Sequence, residues 1–362
     1  MEFVLSLISS CLPCFPDLSS PYISIKNNKY KIIRLLGEGG FSYVYLVSHK
    51  SNNNSLYALK KIRCPYGASD ESYKNAMKEI RNYHRFSNSK TPYINQSIEE
   101  DIVDQKDGSK TVYILMPYFA KSLQDIINFN VLNNQSMEED EILRIFIGIC
   151  RGLNVMHKFK RSGRSVAAVS DNQDDDEADF LLPEVSDDEE YANSTSNGTE
   201  LEELTPFAHR DIKPANVMLS AEGLPVLVDL GSCTKAVIVV KNRQQALTLT
   251  DFAQEHCTLP YRAPELLDVA TNSVITEKTD IWSLGCLLYC CCFGFSPFEK
   301  MEMDQGANLV MAISQATYKF PSDTTGYSQE LLGIIKDCLV LDPVMRPSVD
   351  DLMERALTLS NV

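Results

Sequence analysis

The segment His-Arg-Asp-Ile-Lys-Pro-Ala-Asn, residues 209–216, raises the central question about this sequence. Five of its eight side chains are charged, amide or imidazole groups, and proline is common in solvated turns, so an ordinary surface loop is one interpretation. In the other interpretation, the carboxyl group of Asp211, the ammonium of Lys213 and the amide of Asn216 act on one phosphate. That interpretation requires the rest of the chain to supply the remaining parts of such a site.

Composition and charge limit the class of protein. The chain has 362 residues, 44% of them hydrophobic, and a net charge of −15. Residues 161–205 contain 14 acidic and two basic residues, so the remainder is nearly neutral and lacks the basic surface of a nucleic-acid-binding protein. The same segment is poor in aromatic residues, which predicts a disordered acidic insert. Within it, Ser186 precedes Asp-Asp-Glu-Glu and is the serine expected to be phosphorylated by an acid-directed kinase.

The eleven cysteines do not have the spacing of a metal site. Cys11 and Cys14 form a single CxxC pair, and residues 290–292 are three cysteines in an apolar run, where buried structural thiols are expected. Residues 1–29 are predicted to be an apolar tail. It has no basic start and carries Glu2, which argues against a secretory signal, and no run reaches the roughly 18 apolar residues of a membrane span.

Periodicity predicts a β-rich part followed by a helical part. Strands are expected in three segments after Tyr30, then over 98–103 and 111–116, with a helix over 72–86 between them. A long helix ends at His157, and Ser136 to Glu139 has the pattern of a capping box before it. Further helices are expected near 278–294, 304–315, 327–338 and 348–357.

Three more segments carry the chemistry of phosphate binding, and a fourth feature is an expected buried ion pair. Residues 37–44, Gly-Glu-Gly-Gly-Phe-Ser-Tyr-Val, lie between two strands, where glycines allow backbone N–H groups to approach phosphates. Lys60 lies in the next strand, and a helix carboxylate is expected to pair with it. Glu79 is the preferred partner and Glu71 is the alternative. Asp229 ends an apolar strand 18 residues after Asp211. Arg346 is expected to form a buried bidentate pair with Glu265.

In this order, the segments resemble the protein-kinase signature over about residues 30–357. The resemblance implies an α+β bilobal kinase fold, with a β-rich N-lobe over 30–116 and a helical C-lobe over 120–357, interrupted by the insert at 161–205. Lys213 and Thr258 resemble the serine/threonine class. The implied activity is transfer of the ATP γ-phosphate to Ser or Thr hydroxyls of protein substrates.

The resemblance also implies roles for individual residues. The catalytic residues would be Asp211, Lys213, Lys60 and Glu79, and Asn216 and Asp229 would bind Mg²⁺, with Mn²⁺ as the alternative metal. Met116 would be the gatekeeper residue, and Pro117 and Phe119 would bond the adenine through their backbone. The residues implied to bind ATP are Leu36, Gly37, Glu38, Gly39, Gly40, Phe41, Ser42, Tyr43, Val44, Ala58, Lys60, Met116, Pro117, Phe119 and Leu219.

Several segments, among them residues 243–266 and 279–289, further resemble the Numb-associated kinases. Within these, the chain is most similar to the branch named the myristoylated-and-palmitoylated serine/threonine kinase and its fungal vacuolar-membrane counterpart. This resemblance implies an extra helix near 249–256. It also implies a lipidated N-terminus that attaches the kinase to the cytoplasmic face of Golgi, endosomal or vacuolar membranes. Glu2 excludes N-myristoylation, so acylation is expected on Cys11 and Cys14.

Two departures from the signature are conservative: Ser42 replaces the third glycine of the loop, and Leu230 replaces the usual phenylalanine after Asp229. The alternative to an active enzyme is a pseudokinase, a membrane-tethered scaffold without turnover. Such scaffolds commonly lack one of the residues aligned here with Lys60, Glu79, Asp211, Asn216 and Asp229, all of which this chain retains.

Overall fold

The computed structural model describes residues 22–39, 42–50, 55–161 and 203–360, and these form two compact units. The first unit contains residues up to Ile80 and residues 96–118, and the second contains residues 81–95 and those from Phe119 onward.

A six-stranded antiparallel sheet forms the first unit, in the order β1-β2-β3-β4-β6-β5. The strands are β1 Tyr22–Ile25, β2 Asn28–Gly39, β3 Ser42–His49, β4 Leu56–Cys64, β5 Glu99–Asp104 and β6 Lys110–Pro117. Helix α1, Glu71–Ser87, follows β4 and continues into the second unit. β1 and the start of β2 lie within the segment that we expected to be a tail, so the sheet begins eight residues earlier than Tyr30.

Aromatic and aliphatic side chains alternate along these strands and give one face of the sheet its core. Tyr45, Val47, Leu59 and Leu115 are buried there, together with Ile25. Because facing residues of paired strands share a side of the sheet, the intervening positions lie on the opposite face. Those positions include Val44, Ala58 and Lys60, which the sequence associates with ATP.

The second unit is mainly helical. Its helices are α2 Leu123–Leu132, α3 Glu139–His157, α4 Arg243–His256, α5 Lys278–Phe293, α6 Pro297–Gln305, α7 Leu309–Ser314, α8 Gln329–Cys338 and α9 Val349–Ser360. Its short strands are β7 Lys121–Ser122, β8 Lys160–Arg161, β9 Glu203–Leu204, β10 Phe207–Ala208, β11 Val217–Leu219, β12 Pro225–Leu227, β13 Thr234–Lys235, β14 Ile238–Val240 and β15 Ser273–Ile275.

Helix α5 is the centre of this unit, because every residue from Thr279 to Cys292 is buried. A helix that is apolar on all sides is expected in a protein interior. Cys290, Cys291 and Cys292 are buried free thiols, as predicted. Within the described ranges, no single helix is long and apolar enough to cross a membrane. Helices α5 and α6 reach that length and hydropathy only when taken together, and they are bent by 59° relative to each other.

Two local predictions were wrong. Helix α3 begins at Glu139 without a side-chain cap, and the Glu139 carboxylate instead accepts hydrogen bonds from the backbone N and Oγ of Ser328, both at 2.6 Å. The helix expected over 304–315 is two helices, α6 and α7, because Gly306 has φ +64° and ends α6. Ser296 and Glu299 form a capping box at the start of α6, a signal that the sequence contained.

Helix α4 occupies the segment where an extra helix was expected near 249–256, and it begins earlier, at Arg243. Asn242 caps its first turn by accepting a hydrogen bond from the backbone N–H of Gln245. Its buried face carries Ala246, Leu249 and Phe252, which pack in a separate core cluster with Ile275 and other residues around it.

Candidate functional site

In the first unit, strand β4 and helix α1 bring Lys60 and Glu79 together. The Nζ atom of Lys60 lies 2.9 Å from Oε1 and 2.7 Å from Oε2 of Glu79. Only 15% of the Lys60 side chain and 4% of the Glu79 side chain are exposed, so each charge needs the other. The alternative partner, Glu71, lies two helical turns earlier, at the start of α1.

The glycine-rich segment is the connection between β2 and β3. Gly37 lies opposite Val44, and Gly39 lies opposite Ser42, whereas Gly40 and Phe41 fall outside the described residues. Two register shifts in β2 precede this point. A Cβ atom added at Gly37 would meet no atom within 4 Å, so packing against the protein does not require a glycine there.

The residues expected around the adenine are divided between the two units. In the sheet, Ala58 lies opposite Met116 and Tyr57 lies opposite Pro117, at the end of β6. Leu36, Glu38 and Tyr43 are on β2 and β3. Phe119 and Leu219 belong to the second unit, where Leu219 pairs with Lys121.

In the second unit, Asp280 at the start of α5 holds the segment 209–216 in place. Its carboxylate accepts hydrogen bonds from the backbone N–H groups of His209 and Arg210, each at 2.8 Å, and lies 3.0 Å from Nε2 of His157. Burial by itself raises the pKa of the Asp280 carboxyl, but these bonds outweigh it and lower that pKa overall. The anchor is therefore a carboxylate at neutral pH.

Three neighbouring groups hold the Asp211 carboxylate. Its Oδ1 accepts a hydrogen bond from the backbone N–H of Thr258 at 2.9 Å. Its Oδ2 lies 2.8 Å from Nζ of Lys213 and accepts from Nδ2 of Asn216 at 2.9 Å. Lys213 also donates to Oγ1 of Thr258 at 2.6 Å. The acid, ammonium and amide of the opening segment therefore form one cluster, completed by Thr258, 47 residues after Asp211.

Asn216 and Asp229 fit a site for a hard divalent cation. The amide nitrogen of Asn216 donates to both O and Oδ2 of Asp211, so its carbonyl oxygen points away from them. The backbone N–H of Val228 donates to the backbone oxygen of Asn216, which brings Asp229 beside it at the end of the β11–β12 pair. A carboxylate and an amide oxygen are ligands that Mg²⁺ prefers. Within the described residues, no group of three or more His, Cys, Asp or Glu side chains has the geometry of a metal site.

The side chain of Arg210 is buried and reaches the segment that follows Asp229, at residues 234–236. Its guanidinium donates to Oγ1 of Thr234 and of Thr279, and to the backbone oxygens of Lys235 and Ala236, at 2.9–3.2 Å. Burial lowers the pKa of Arg210, and the nearby Asp280 carboxylate opposes that change. The guanidinium is thus paired with neutral groups of its own chain.

Asn82, which the sequence pattern did not single out, holds the segment after Asp229. Its Nδ2 donates to the backbone oxygens of Leu230 at 2.9 Å and Cys233 at 3.0 Å, and the residue is 1% exposed. Ser232 adds a 2.7 Å bond to the backbone oxygen of His209. An amide in α1 among the buried residues Tyr83 and Phe86 was the available signal, because such a group requires partners.

Some predicted features lie outside the described residues. These are Cys11 and Cys14, the N-terminal part of the tail and residues 162–202 of the insert. The ends of that insert are described: Lys160 and Arg161 in β8 pair antiparallel with Leu204 and Glu203 in β9.

Comparison with known proteins gives the family. The family model described as "Protein kinase domain" matches residues 30–162 and 187–357, and the interruption falls within the predicted insert. The chain is 42% identical over 369 residues to Serine/threonine-protein kinase ENV7 of Saccharomyces cerevisiae, covering 98% of each chain. It is 40% identical to Serine/threonine-protein kinase ppk13 of Schizosaccharomyces pombe, covering 94% of this chain and 95% of the relative.

The similarity extends beyond fungi. The chain is 32% identical to human Serine/threonine-protein kinase 16, covering 92% of this chain and 91% of the relative. These relatives match the branch that the sequence resembles and give no support to the pseudokinase alternative. The chain therefore belongs to the protein kinase domain family, and it is a serine/threonine protein kinase that uses ATP and a divalent metal.

Proposed function

We propose that Asp211 accepts the proton of the acceptor Ser or Thr hydroxyl while Lys213 neutralises charge on the transferred phosphoryl group. The observation that carries this proposal is the cluster in which Thr258, Lys213 and Asn216 together hold both oxygens of the Asp211 carboxylate. A carboxylate restrained in this way is oriented before the substrate arrives, which is what general-base catalysis requires.

Lys60, held by Glu79, would bind the α- and β-phosphates, and Asn216 and Asp229 would bind Mg²⁺, or alternatively Mn²⁺. The metal supplies positive charge that offsets the charge developing on the phosphates. Glycine-loop N–H groups would contact the phosphates, and Val44, Ala58 and Met116, with the other residues named for ATP, would bind the base.

A phosphate-transfer assay tests these roles. Purified full-length chain would be incubated with γ-labelled ATP, MgCl₂ and a generic basic protein, and the labelled product hydrolysed to identify the phosphoamino acid. We expect phosphoserine and phosphothreonine from the wild type and almost none from Asp211→Asn. Equal labelling by both proteins would overturn the assignment of Asp211, and no labelling by either would favour the pseudokinase.

We also propose that acyl chains on Cys11 and Cys14 attach this kinase to the cytoplasmic face of an endomembrane, of the vacuole, the Golgi or endosomes, where it acts in membrane traffic. The apolar N-terminal residues support this, because they include Phe3, Val4, Leu5, Leu7 and Ile8. Two acyl chains give stable attachment, whereas one gives only marginal binding.

The other cysteines support this choice of acceptors. All nine cysteines in the described part of the chain are buried. Burial raises the pKa of the Cys64 thiol to about 11 and that of Cys257 to about 12, with the nearby Asp70 and Asp211 carboxylates adding to the respective effects and arginines near Cys257 opposing them. Buried, protonated thiols are poor nucleophiles, which leaves Cys11 and Cys14 as the acceptors to test.

Membrane fractionation tests the anchor. The wild type should sediment with membranes, resist high salt and be released by hydroxylamine, which cleaves thioesters. Cys11→Ser alone should be partly released, and the Cys11→Ser/Cys14→Ser double variant should be soluble and still active. A matched double variant at two buried positions, Cys291→Ser/Cys292→Ser, should stay on membranes. If the Cys11/Cys14 variant also stayed there, a protein receptor for the tail would replace this proposal.

A further inference from the structure

One peptide bond in the second unit joins two charged side chains. The carbonyl oxygen of Cys257 accepts hydrogen bonds from Nε of Arg262 at 3.1 Å and from Nη2 at 2.6 Å. The N–H of the same peptide unit belongs to Thr258 and donates to Oδ1 of Asp211 at 2.9 Å. Because a peptide unit is planar, its orientation at Arg262 determines the direction of the N–H that reaches Asp211.

The local fold brings Arg262 to this position. Cys257 is the C-cap of α4, and its N–H donates to the backbone oxygen of Ala253. A 3₁₀ turn, Leu259–Tyr261, then reverses the chain, and Ser283 on α5 fixes that turn by donating to the Tyr261 oxygen at 2.7 Å. The guanidinium of Arg262 consequently lies at the C-terminal end of α4, where unpaired carbonyls and the helix dipole favour a cation.

The charge of Arg262 acts on the same peptide. Burial lowers the pKa of Arg262, whereas the Cys257 thiol and the Asp211 carboxylate raise it, so the group remains a cation that interacts with Asp211. A cation bonded to a carbonyl oxygen polarises the amide and makes its N–H a stronger donor. The Thr258 N–H is therefore both fixed in direction and strengthened.

We propose that Arg262 is a positioning residue for Asp211, acting through the Cys257–Thr258 peptide. Arg262 sets the plane of that peptide, and the Thr258 N–H then fixes Oδ1, while Lys213 and Asn216 hold Oδ2. With both oxygens restrained, the carboxylate faces the acceptor hydroxyl in one orientation. This inference rests on the proposed role of Asp211 in proton acceptance.

Steady-state kinetics of Arg262→Lys and Arg262→Met test the proposal. Lysine keeps the charge and one donor to the Cys257 oxygen, and methionine keeps only the length. We expect kcat to fall by about tenfold in the first and about a hundredfold in the second, with KM for ATP within about twofold of wild type. The matched control is Arg243→Met, an exposed arginine at the other end of α4, which should leave kcat unchanged.

A double-mutant cycle separates positioning from a purely structural role. Residual transfer by Asp211→Ala is measured with excess enzyme, with and without Arg262→Lys. If Arg262 acts through Asp211, the second change should have almost no further effect, whereas independent sites would lose activity by the same factor in both backgrounds. Equal factors, or a KM for ATP that rises as kcat falls, would overturn the proposal.

Failure of the Arg262 proposal can be distinguished from failure of the proposed catalytic function. A wild type without turnover contradicts the proposed function itself, whereas active Arg262 variants in an active background contradict only the positioning role. If Arg262→Met does not unfold cooperatively, Arg262→Lys and the cycle decide the question. The Thr258 amide proton resonance adds a direct measure: it should move upfield in Arg262→Lys as its hydrogen bond weakens, and an unchanged shift counts against the proposal.

Discussion

Arg346 and Glu265 form a bidentate ion pair, with Nη1 2.7 Å from Oε1 and Nη2 2.8 Å from Oε2. The Arg346 side chain is completely buried and also donates to the backbone oxygens of Val340, Lys278 and Leu341. It therefore ties the Ala-Pro-Glu segment that ends at Glu265 to the start of α5 and to the turn before α9.

Removal of this arginine should be strongly destabilising. Arg346→Met leaves Glu265 as a poorly compensated charge, and we expect a loss of about 3–5 kcal/mol in the free energy of unfolding. The control is Arg355→Met, which breaks an exposed pair with Asp337, 2.9 Å apart, and should cost less than about 1 kcal/mol. Urea unfolding of the two variants measures the difference, and similar losses would contradict the importance of burial.

Asp211→Asn should lower kcat by more than a hundredfold and leave nucleotide affinity near normal. The asparagine still offers Oδ1 to the Thr258 N–H, but its amide nitrogen then faces donors from Lys213 and Asn216. Phosphate transfer and titration with a fluorescent ATP analogue give the two quantities. Asp304→Asn, which alters an exposed pair with Lys300, should change neither. A parallel loss of nucleotide affinity would be evidence against a role confined to the acceptor hydroxyl.

Lys60→Arg should reduce activity by at least about tenfold, because a planar guanidinium does not reproduce the compact ammonium held by Glu79. Its neighbour Lys61 provides a matched control, because it lies on the other face of β4 and the same Lys→Arg substitution can be made there. Lys61→Arg should retain nearly full activity. Equal effects at the two positions would show that strand β4 tolerates no arginine, and the role of Lys60 would need another test.

Treatment with a protein phosphatase should leave the activity within about twofold of that of the untreated enzyme. A phosphate on the segment after Asp229 would act by pairing with an arginine, which is its usual partner. Arg210 already donates to Thr234, Thr279 and two backbone oxygens, so it does not require a phosphate to be held in place. The assay compares treated, untreated and mock-treated protein after removal of the phosphatase. A large loss that is restored by autophosphorylation would contradict this expectation.

The acidic insert should be dispensable for folding. Its ends are held together by the antiparallel pairing of Arg161 with Glu203, so a short turn can replace residues 164–201 without moving either strand. We expect the melting temperature to change little and activity on a peptide to stay within about threefold, since loop closure depends only weakly on length. Differential scanning calorimetry and a peptide assay measure both. A cooperative loss of folding would show that the segment contributes to the structure.

The local parts of the fold were predictable because they depend on neighbouring residues. The alternation of β-branched and aromatic residues predicted β3, β4 and β6, and helical spacing predicted α1 and α5 within one or two residues. The predictions that failed concerned Glu139, the boundary at Gly306 and the start of the sheet, which lies at Tyr22 and not at Tyr30. A distant partner outweighed the local pattern at Glu139, and a single backbone conformation did so at Gly306.

The sequence by itself determined the family, the order of the phosphoryl-transfer residues and the pairing expected for Lys60 and Arg346. A charge buried by an apolar neighbourhood needs an opposite charge, and few candidates have the right spacing. Only the tertiary structure decided that the Thr258 N–H bonds Asp211 and that Arg262 bonds the Cys257 oxygen of the same peptide. It also decided that Asn82 holds Leu230 and Cys233, and that Arg210 is satisfied by its own chain. Apart from the Arg262–Cys257 bond, which spans five positions, these contacts join residues 26 to 151 positions apart, and most use backbone N–H and C=O groups. Every residue carries those groups, so the sequence does not distinguish the ones that meet; packing of the helices and turns around α5 brings them within hydrogen-bond distance.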